Sequence, residues 1–270
     1  MNAAGSGVAR VLAGQQEIDA WQADLYRDLH RHPELGHQEV RTAGIVADTL
    51  RGAGFEVHER VGTTGVVGVL KHGDGPVVLM RADMDALPVA EETGLLYAST
   101  EQAQDRDGAT VPVMHACGHD AHVACALGAA RLMAAARDAW TGTYIALFQP
   151  AEELADGADE MVGAGLAELI PRPDVALAQH VLPFPAGLVG TRPGPFLSSG
   201  DSMRVTVWGQ GSHGSMPQLS VDPVVLASSI VVRLQGIVAR EVTPGEFAVL
   251  TVGRIAAGSK PRNSGAPGSR

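Results

Sequence analysis

Cysteine, clustered positive charge and long apolar runs are all scarce in this sequence of 270 residues. The 2 cysteines, Cys117 and Cys125, cannot build a disulfide framework, and they lie too far apart on one predicted helix to bridge each other. The formal net charge is −10, and the basic residues are scattered along the chain. A nucleic-acid binder is therefore excluded, because it needs a basic face to neutralise phosphates.

The N-terminal segment also lacks a basic region followed by an apolar run, and no segment approaches the ~20 apolar residues of a membrane-spanning helix. Internal repeats of solenoid length are absent as well. With 45% hydrophobic and 19% charged residues, the chain is globular and long enough for one large domain or two smaller ones. Together with the unpaired cysteines, these features predict a cytoplasmic protein without a membrane partner.

Helices and strands alternate over the first two thirds of the chain. Apolar residues at helical spacing and Gly or Pro boundaries predict helices at residues 17–29, 39–51, 120–137 and 157–169. Segments rich in β-branched residues predict strands at 55–58, 65–70, 77–81, 143–148 and 174–181. We expect the second and third strands to form a hairpin through residues 71–75. The alternation is typical of a layered α/β domain.

A stretch rich in Pro, Gly and Ser, residues 183–201, predicts a linker to a second unit. A strand at 203–208, a helix at 223–240 and a strand at 247–255 would follow, giving a βαβ unit that normally needs more strands to be stable. Asp222 and Pro223 are typical of a helix N-terminus.

Cys117 and His119 lie just before the predicted helix at 120–137. Of the side chains in the sequence, these two are the strongest candidates for metal binding or catalysis. Thiolate and imidazole are ligands that zinc prefers and that manganese, cobalt or nickel accept less selectively. Two alternatives stay open for the pair alone: a cysteine nucleophile with a histidine base, or a helix-capping turn around a buried thiol.

Further polar side chains follow predicted strands. Glu152 and Glu153 come after the strand at 143–148, where one carboxylate could bind a cation and the other take a proton from water. His180 ends the strand at 174–181, and Asp83 leaves the strand at 77–81, where it could bind metal or orient an imidazole. A solvated acidic loop and a hydrogen-bonded core histidine are the simpler interpretations of Glu152–Glu153 and of His180.

Six segments in this order carry a family resemblance: LHRHPELGHQE (29–39), RADMDALPV (81–89), MHACGHDAH (114–122), FQPAEE (148–153), QHVLP (179–183) and GSHGSMPQLSVDP (211–223). They resemble the amidohydrolase branch of the aminoacylase and carboxypeptidase-like zinc metallopeptidases, peptidase family M20, which includes hippurate hydrolase and indole-acetyl-amino-acid hydrolase. The resemblance extends over about residues 29–258.

The resemblance implies a metal-dependent amidohydrolase that cleaves the amide bond of N-acyl amino acids with a water that binds the metal. Two divalent ions (zinc, manganese, cobalt or nickel) would be held by Cys117, His119, Glu153 and His180. Glu152 would activate the water, Asp83 would support the ligands, and His213 would bind substrate or stabilise the oxyanion. The implied partners are a small N-acyl amino acid and, in the full-length form, a second copy of the chain.

The resemblance also implies a zinc-peptidase-like three-layer catalytic domain, residues 1–190, with an inserted and incomplete α+β (βαβ) dimerisation or lid domain, residues 191–260. Family members continue further and supply another metal-binding histidine, whereas no histidine follows His213 here and residues 261–270 read as an aberrant flexible tail. We therefore expect a truncated, poorly active hydrolase. The alternative is an inactive hydrolase scaffold that acts as a binding protein.

Overall fold

The computed structural model describes residues 3–197 and 199–257. The chain divides into two compact units, Met1–Leu188 and Val189–Arg270. The boundary falls inside the stretch that the sequence predicts as a linker, residues 183–201. The expected tail, residues 261–270, lies outside the described residues.

The first unit alternates helices and strands, so the α/β prediction is confirmed. Its helices are α1 (Ala3–Leu12), α2 (Gln15–Arg31), α3 (Val40–Gly52), α4 (His119–Ala135), α5 (Gly157–Gly163) and α6 (Leu166–Leu169). Its strands are β1 (Glu56–Val61), β2 (Gly65–His72), β3 (Val77–Asp83), β4 (Gln102–Gln104), β5 (Thr110–Pro112), β6 (Gly142–Gln149) and β7 (Val175–Ala178). Helix α1 and the short strands β4 and β5 have no counterpart in the sequence-based prediction.

A mixed sheet of 5 strands in the order β1-β2-β6-β3-β7 organises this unit. Strand β2 is antiparallel to β1 and β6, whereas β3 is parallel to both β6 and β7. Strands β4 and β5 form a separate two-stranded antiparallel sheet. The parallel strands β3, β6 and β7 therefore all end at the same edge of the large sheet.

Both faces of the sheet are covered, and β6 shows this most clearly. Tyr144, Ala146 and Phe148 belong to a core with α2, α3 and α4, whereas Ile145 and Leu147 pack with Met161 of α5 on the opposite face. Successive side chains of a strand point to opposite faces, so a strand between two helical layers is apolar at every position. This is why β6 is a continuous apolar run in the sequence.

The predicted hairpin between residues 65–70 and 77–81 is wrong. Strand β6 lies between β2 and β3, and the hairpin is instead made by β1 and β2. The turn before β3 passes over the start of β6, where Gly142 has φ 120° and a Cβ would lie 2.3 Å from the carbonyl oxygen of Pro76. A turn sequence indicates that the chain changes direction between two strands. It does not show that the two strands pair, because a strand from later in the sequence can lie between them.

The described part of the second unit does not show the predicted βαβ arrangement, because residues 203–208 and 247–255 are not strands there. The described backbone of this unit includes an isolated bridge between Gln210 and Val221 and a 3-10 turn, Pro217–Leu219. The β-branched residues of the two segments favour extended backbone, but a strand also needs a ladder of backbone hydrogen bonds to a neighbouring strand, and among the described residues no strand pairing includes either segment.

The predicted helix at 223–240 is confirmed as α7, Pro223–Arg240. The side chain of Asp222 accepts hydrogen bonds from the backbone N–H groups of Val224, at 2.8 Å, and Val225, at 3.4 Å, which caps the helix as its sequence predicts. By length and composition α7 could cross a membrane, contrary to the sequence-based expectation that no segment approaches that length. One such helix is weak evidence, because helices of soluble proteins pass the same test.

Candidate metal centre

Polar side chains gather at the edge of the sheet where β3, β6 and β7 end. Asp83 is the last residue of β3, Glu152 and Glu153 follow β6, and His180 follows β7. Strand β6 lies on one side of β3 and β7 on the other, so the strand order reverses at this point. Open α/β sheets place their ligands at such reversals, beyond the carboxyl ends of the strands.

His119 lies at the centre of the cluster and is 0% exposed. Its Nδ1 is 3.1 Å from Oδ1 of Asp85, while its Nε2 lies 3.7 Å from Oδ2 of Asp83 and 3.9 Å from both Glu152 and Glu153. Burial alone would lower the pKa of His119, but the hydrogen bond with Asp85 and the charge of Asp83 raise it. Within the described residues Nε2 has no hydrogen-bond partner, although it is fully buried among carboxylates.

Cys117 and His180 form the next part of the cluster. Sγ of Cys117 is 3.4 Å from Nε2 of His180, and Nδ1 of His180 donates to the carbonyl oxygen of Val181 at 2.7 Å. Nδ1 therefore carries the proton and the lone pair of Nε2 faces the thiol. Burial, with the nearby charge of Glu153, raises the pKa of Cys117 to about 12. In the metal-free protein such a thiol is protonated at neutral pH, and a nearby positive charge, such as that of a cation, would favour the thiolate.

The two adjacent glutamates occupy different surroundings. They begin a 3-10 turn, Glu152–Leu154, after β6. The Glu152 side chain is 40% exposed, whereas that of Glu153 is 21% exposed and its Oε1 is buried without a hydrogen-bond partner among the described residues. Burial raises the pKa of Glu153. The environments therefore allow two roles, a buried ligand and an accessible base.

Asp83 contacts a histidine to which the sequence analysis assigned no role. Its Oδ1 is 2.5 Å from Nδ1 of His122, and its Oδ2 accepts from Arg81 at 2.8 Å. Burial alone would raise the pKa of Asp83, but the hydrogen bond from His122 and the positive charges of His119 and Arg81 lower it to about 2. His122 lies one helical turn after His119 on α4, and that spacing was a signal that could have identified it.

Asp85 is the second residue that the sequence analysis left without a role. It accepts from His119 Nδ1 through Oδ1 and from the backbone N–H of Glu153, at 3.0 Å, through Oδ2. Asp85, and not Asp83, is therefore the carboxylate that fixes the ring of His119. Asp83 and Asp85 are two residues apart at the end of a strand, so their side chains are expected on the same face. The sequence alone could therefore not show which of the two contacts His119.

The cluster fits a divalent metal. Three overlapping groups have ligand atoms that all lie within 4.8 Å of one another: Cys117 with His119 and His180, Asp83 with His119 and His122, and His119 with Glu152 and Glu153. Thiolate, imidazole and carboxylate are the ligand types of zinc and related ions. A cation would also satisfy Nε2 of His119 and Oε1 of Glu153, which are among the buried atoms that have no hydrogen-bond partner within the described residues.

His213 is the predicted site residue that belongs to the second unit. It is exposed, and its Nδ1 lies 2.8 Å from the hydroxyl of Ser215. The other predicted residues, Asp83, Cys117, His119, Glu152, Glu153 and His180, are all brought together in the first unit.

Comparison with known proteins identifies relatives that match most of the chain. The profile of peptidase family M20/M25/M40 matches residues 79–262. Hippurate hydrolase of Campylobacter jejuni is 41% identical over 236 residues, which is 87% of this chain and 58% of that protein. N-acetyl-L-cysteine deacetylase of Bacillus subtilis is 38% identical over 237 residues, or 87% of this chain and 54% of that protein. The chain thus spans little more than half the length of these relatives.

Solved structures agree with the sequence comparison. A provisionally named aminohydrolase from methicillin resistant Staphylococcus aureus superposes with a TM-score of 0.71 at 32% identity, covering 95% of this chain and 64% of that one. A Bacillus subtilis protein described as a dinuclear metal binding peptidase from the M20 family has a TM-score of 0.55 at 36% identity, covering 62% of this chain and 44% of that one. The fold is therefore that of a zinc-peptidase-like domain, and the chain belongs to peptidase family M20/M25/M40.

Proposed function

We propose that this protein is a metal-dependent amidohydrolase that cleaves the amide bond of N-acyl amino acids. The observation that carries the proposal is Nε2 of His119, a residue that is 0% exposed. This atom has no hydrogen-bond partner in the described chain, yet it lies within 3.9 Å of three carboxylates. A buried nitrogen surrounded by carboxylates is a favourable place for a cation, which would satisfy the nitrogen and balance the negative charge. The names of the relatives supply the substrate class.

In this proposal Cys117, His119, Glu153 and His180 hold two divalent ions, which can be zinc, manganese, cobalt or nickel. Bound ions of this kind polarise the scissile carbonyl and lower the pKa of water toward ~7. Hydrogen bonds orient the two histidine ligands. Asp85 accepts from Nδ1–H of His119, and the carbonyl oxygen of Val181 accepts from Nδ1–H of His180. Each Nε2 is therefore left with its lone pair directed into the site. Asp83 supports the arrangement through His122.

Glu152 is the general base. Its side chain is 40% exposed and within 3.9 Å of His119, so it can reach a water at the rim of the cluster. It takes a proton from the attacking water and then transfers that proton to the nitrogen of the leaving amino acid. The carbonyl carbon thereby gains an oxygen and loses the amide nitrogen, and Glu152 returns to its ionised form.

In this proposal the two units have different roles. Residues 1–190 would form the catalytic domain, and residues 191–260 would be part of a lid and dimerisation domain, in which His213 binds substrate or stabilises the oxyanion. The partners would be a small N-acyl amino acid and a second copy of the chain in the full-length protein. We place the enzyme in the cytoplasm, in keeping with its free cysteines.

Metal analysis after dialysis tests the proposal directly. We expect bound divalent metal in the native protein and its loss in the double variant Cys117→Ser, His180→Ala. The matched control is Cys125→Ser, at the exposed cysteine of α4, which should keep the metal. Turnover without metal that is blocked by thiol alkylation would refute the proposal.

A panel of N-acyl amino acids, including hippurate and N-acetyl-cysteine, then tests the reaction with each of the four metals. Amino acid release that depends on added metal supports amide hydrolysis. Metal binding with saturable ligand binding but no release on any substrate would favour the alternative, a non-catalytic binding protein on a hydrolase scaffold.

A further inference from the structure

The loop of residues 33–39, between α2 and α3, contributes to one of the six motifs but supplies no residue to the candidate metal centre. It contacts the exit of β3, where the backbone N–H of Ala86 donates to the carbonyl oxygen of Glu34 at 2.8 Å and Leu35 pairs with Ala86 in an isolated bridge. It therefore lies beside one of the segments that carry the site. It also contacts the segment after β6.

Glu39, at the end of this loop, is 0% exposed and both of its carboxylate oxygens are used. Oε1 accepts from the backbone N–H of Ala151 at 2.8 Å, and Oε2 accepts from the hydroxyl of Thr64 at 2.6 Å. A buried carboxylate needs such partners, since its removal from water is otherwise unfavourable. One of the two partners is the residue directly before Glu152.

Ala151 has an uncommon backbone conformation, with φ 47° and ψ 45°, and it is itself 0% exposed. A residue other than glycine adopts this left-handed region only where its surroundings hold it there. The loop supplies that restraint at close range: a Cβ on Gly36 would lie 2.7 Å from Leu154 and 3.2 Å from the Cα of Ala151. The direction in which Glu152 and Glu153 leave β6 depends on this conformation.

We propose that Glu39 is a positioning residue, which holds Ala151 in its left-handed conformation and so directs Glu152 and Glu153 toward His119. The proposal rests on the proposed function for what the two glutamates do once they are in place. A structural role alone would make Glu39 equivalent to any other carboxylate of the loop that accepts backbone hydrogen bonds. Glu34, which is half-buried, provides that comparison, because its carboxylate accepts from the N–H groups of Arg41 and Thr42 at the start of α3.

Hydrogen exchange of the full chain, freed of metal by chelation, measures the turn without reference to activity. In Glu39→Ala the amides of residues 151–157 should exchange about tenfold faster than in the wild type, because the buried N–H of Ala151 loses its acceptor. Glu39→Asp, which is one methylene shorter, should behave in the same way and serves if the alanine variant does not fold. Glu39→Gln keeps an acceptor at the right distance and should exchange as the wild type does.

Glu34→Ala is the matched control, and it should speed exchange at the start of α3 while the turn stays protected. Wild-type exchange of the turn in both Glu39→Ala and Glu39→Asp, or equally fast exchange of the turn in Glu34→Ala, would overturn the proposal.

Binding of Co²⁺ gives the second measurement, followed by the thiolate absorption band. Its affinity should fall about tenfold in Glu39→Ala and stay near the wild-type value in Glu34→Ala, since displaced ligand carboxylates weaken a metal site. An unchanged affinity in Glu39→Ala would show that Glu39 does not position the ligand. If the wild type itself binds no Co²⁺, the proposed function fails, and the exchange data still decide whether Glu39 holds the turn.

Discussion

At the scale of single residues, the difference between Glu152 and Glu153 predicts a separation of metal binding from turnover. Glu152→Gln removes the accessible base and leaves the buried ligand, so kcat should fall about 10²- to 10⁴-fold while the metal content is unchanged. Steady-state kinetics and elemental analysis on the same preparation check this. Loss of metal together with activity would show that Glu152 is a ligand instead.

Asp83 gives the metal-free protein a defined dependence on pH. Its pKa of about 2 in the folded chain lies below the ordinary value of 3.8, because the contacts with His122, His119 and Arg81 outweigh the effect of burial. The folded state therefore binds fewer protons between these values, and the ionised group stabilises it by about 2 kcal/mol above pH ~4. That contribution is lost as the pH falls from ~4 through ~2.

Urea unfolding of the wild type and of Asp83→Asn, in the presence of a chelator, measures this effect. The difference in unfolding free energy between the two proteins should be largest above pH ~4 and shrink steadily as the solution becomes more acidic. A difference that does not change with pH would mean that Asp83 is not ionised in the fold.

The candidate site residues that the sequence predicts are those whose side-chain type is uncommon at the position where it occurs. A cysteine beside a histidine and two adjacent glutamates after an apolar strand indicate a metal centre without any structure. Glu39 could not be found in this way, because it lies far from Ala151 in the sequence. In addition, nothing in the sequence distinguishes a glutamate that will be buried from one that stays on the surface. Roles that depend on a contact between distant segments become visible only when the segments are packed together.

At the scale of the elements, the turn between Cys117 and α4 depends on Gly118. This residue has φ 80°, and a Cβ would lie 2.3 Å from Val181, which also donates its N–H to His122. Gly118→Ala should therefore destabilise the protein by about 1–3 kcal/mol and weaken metal binding. Gly44 in α3 is the matched control: a Cβ there meets nothing within 4 Å, so Gly44→Ala should stabilise the helix by about 0.5–1 kcal/mol.

Thermal or urea unfolding of the two variants, with Co²⁺ titration, checks both signs. Equal stability of Gly118→Ala and the wild type would show that the backbone at this turn adapts to a side chain.

The elements predicted best are those whose start or end is determined by residues within the element or next to it. The N-cap at Asp222 and the proline at the first helical position locate the start of α7 without reference to other parts of the chain. The expected strands at 203–208 and 247–255 failed because a strand requires a partner, and β-branched residues alone do not provide one. The hairpin error has a related cause, since β6 comes between β2 and β3 from much later in the sequence.

At the scale of the whole molecule, the connection between the two units predicts where a protease cuts first. Residues 183–197 and 199–201 contain no helix or strand and are exposed. Limited trypsin or elastase digestion should cleave within residues 183–201 before it cleaves β3, leaving a fragment that corresponds to the proposed catalytic domain, residues 1–190. Mass spectrometry of the first products identifies the site, and initial cleavage inside Val77–Asp83 would contradict the proposed boundary.

The distribution of the site over β3, α4, β6 and β7 also sets a time order. The hairpin of β1 and β2 can form from local contacts as soon as its residues are available, but the parallel pairs need crossovers that close slowly. Cys117 and His180 come within reach of each other only when β7 has paired with β3. The two ligand groups without His180 are already in place once β3, α4 and β6 have packed together. A metal held by the thiol of Cys117 would therefore report the docking of β7, which a metal held by the carboxylates alone would not.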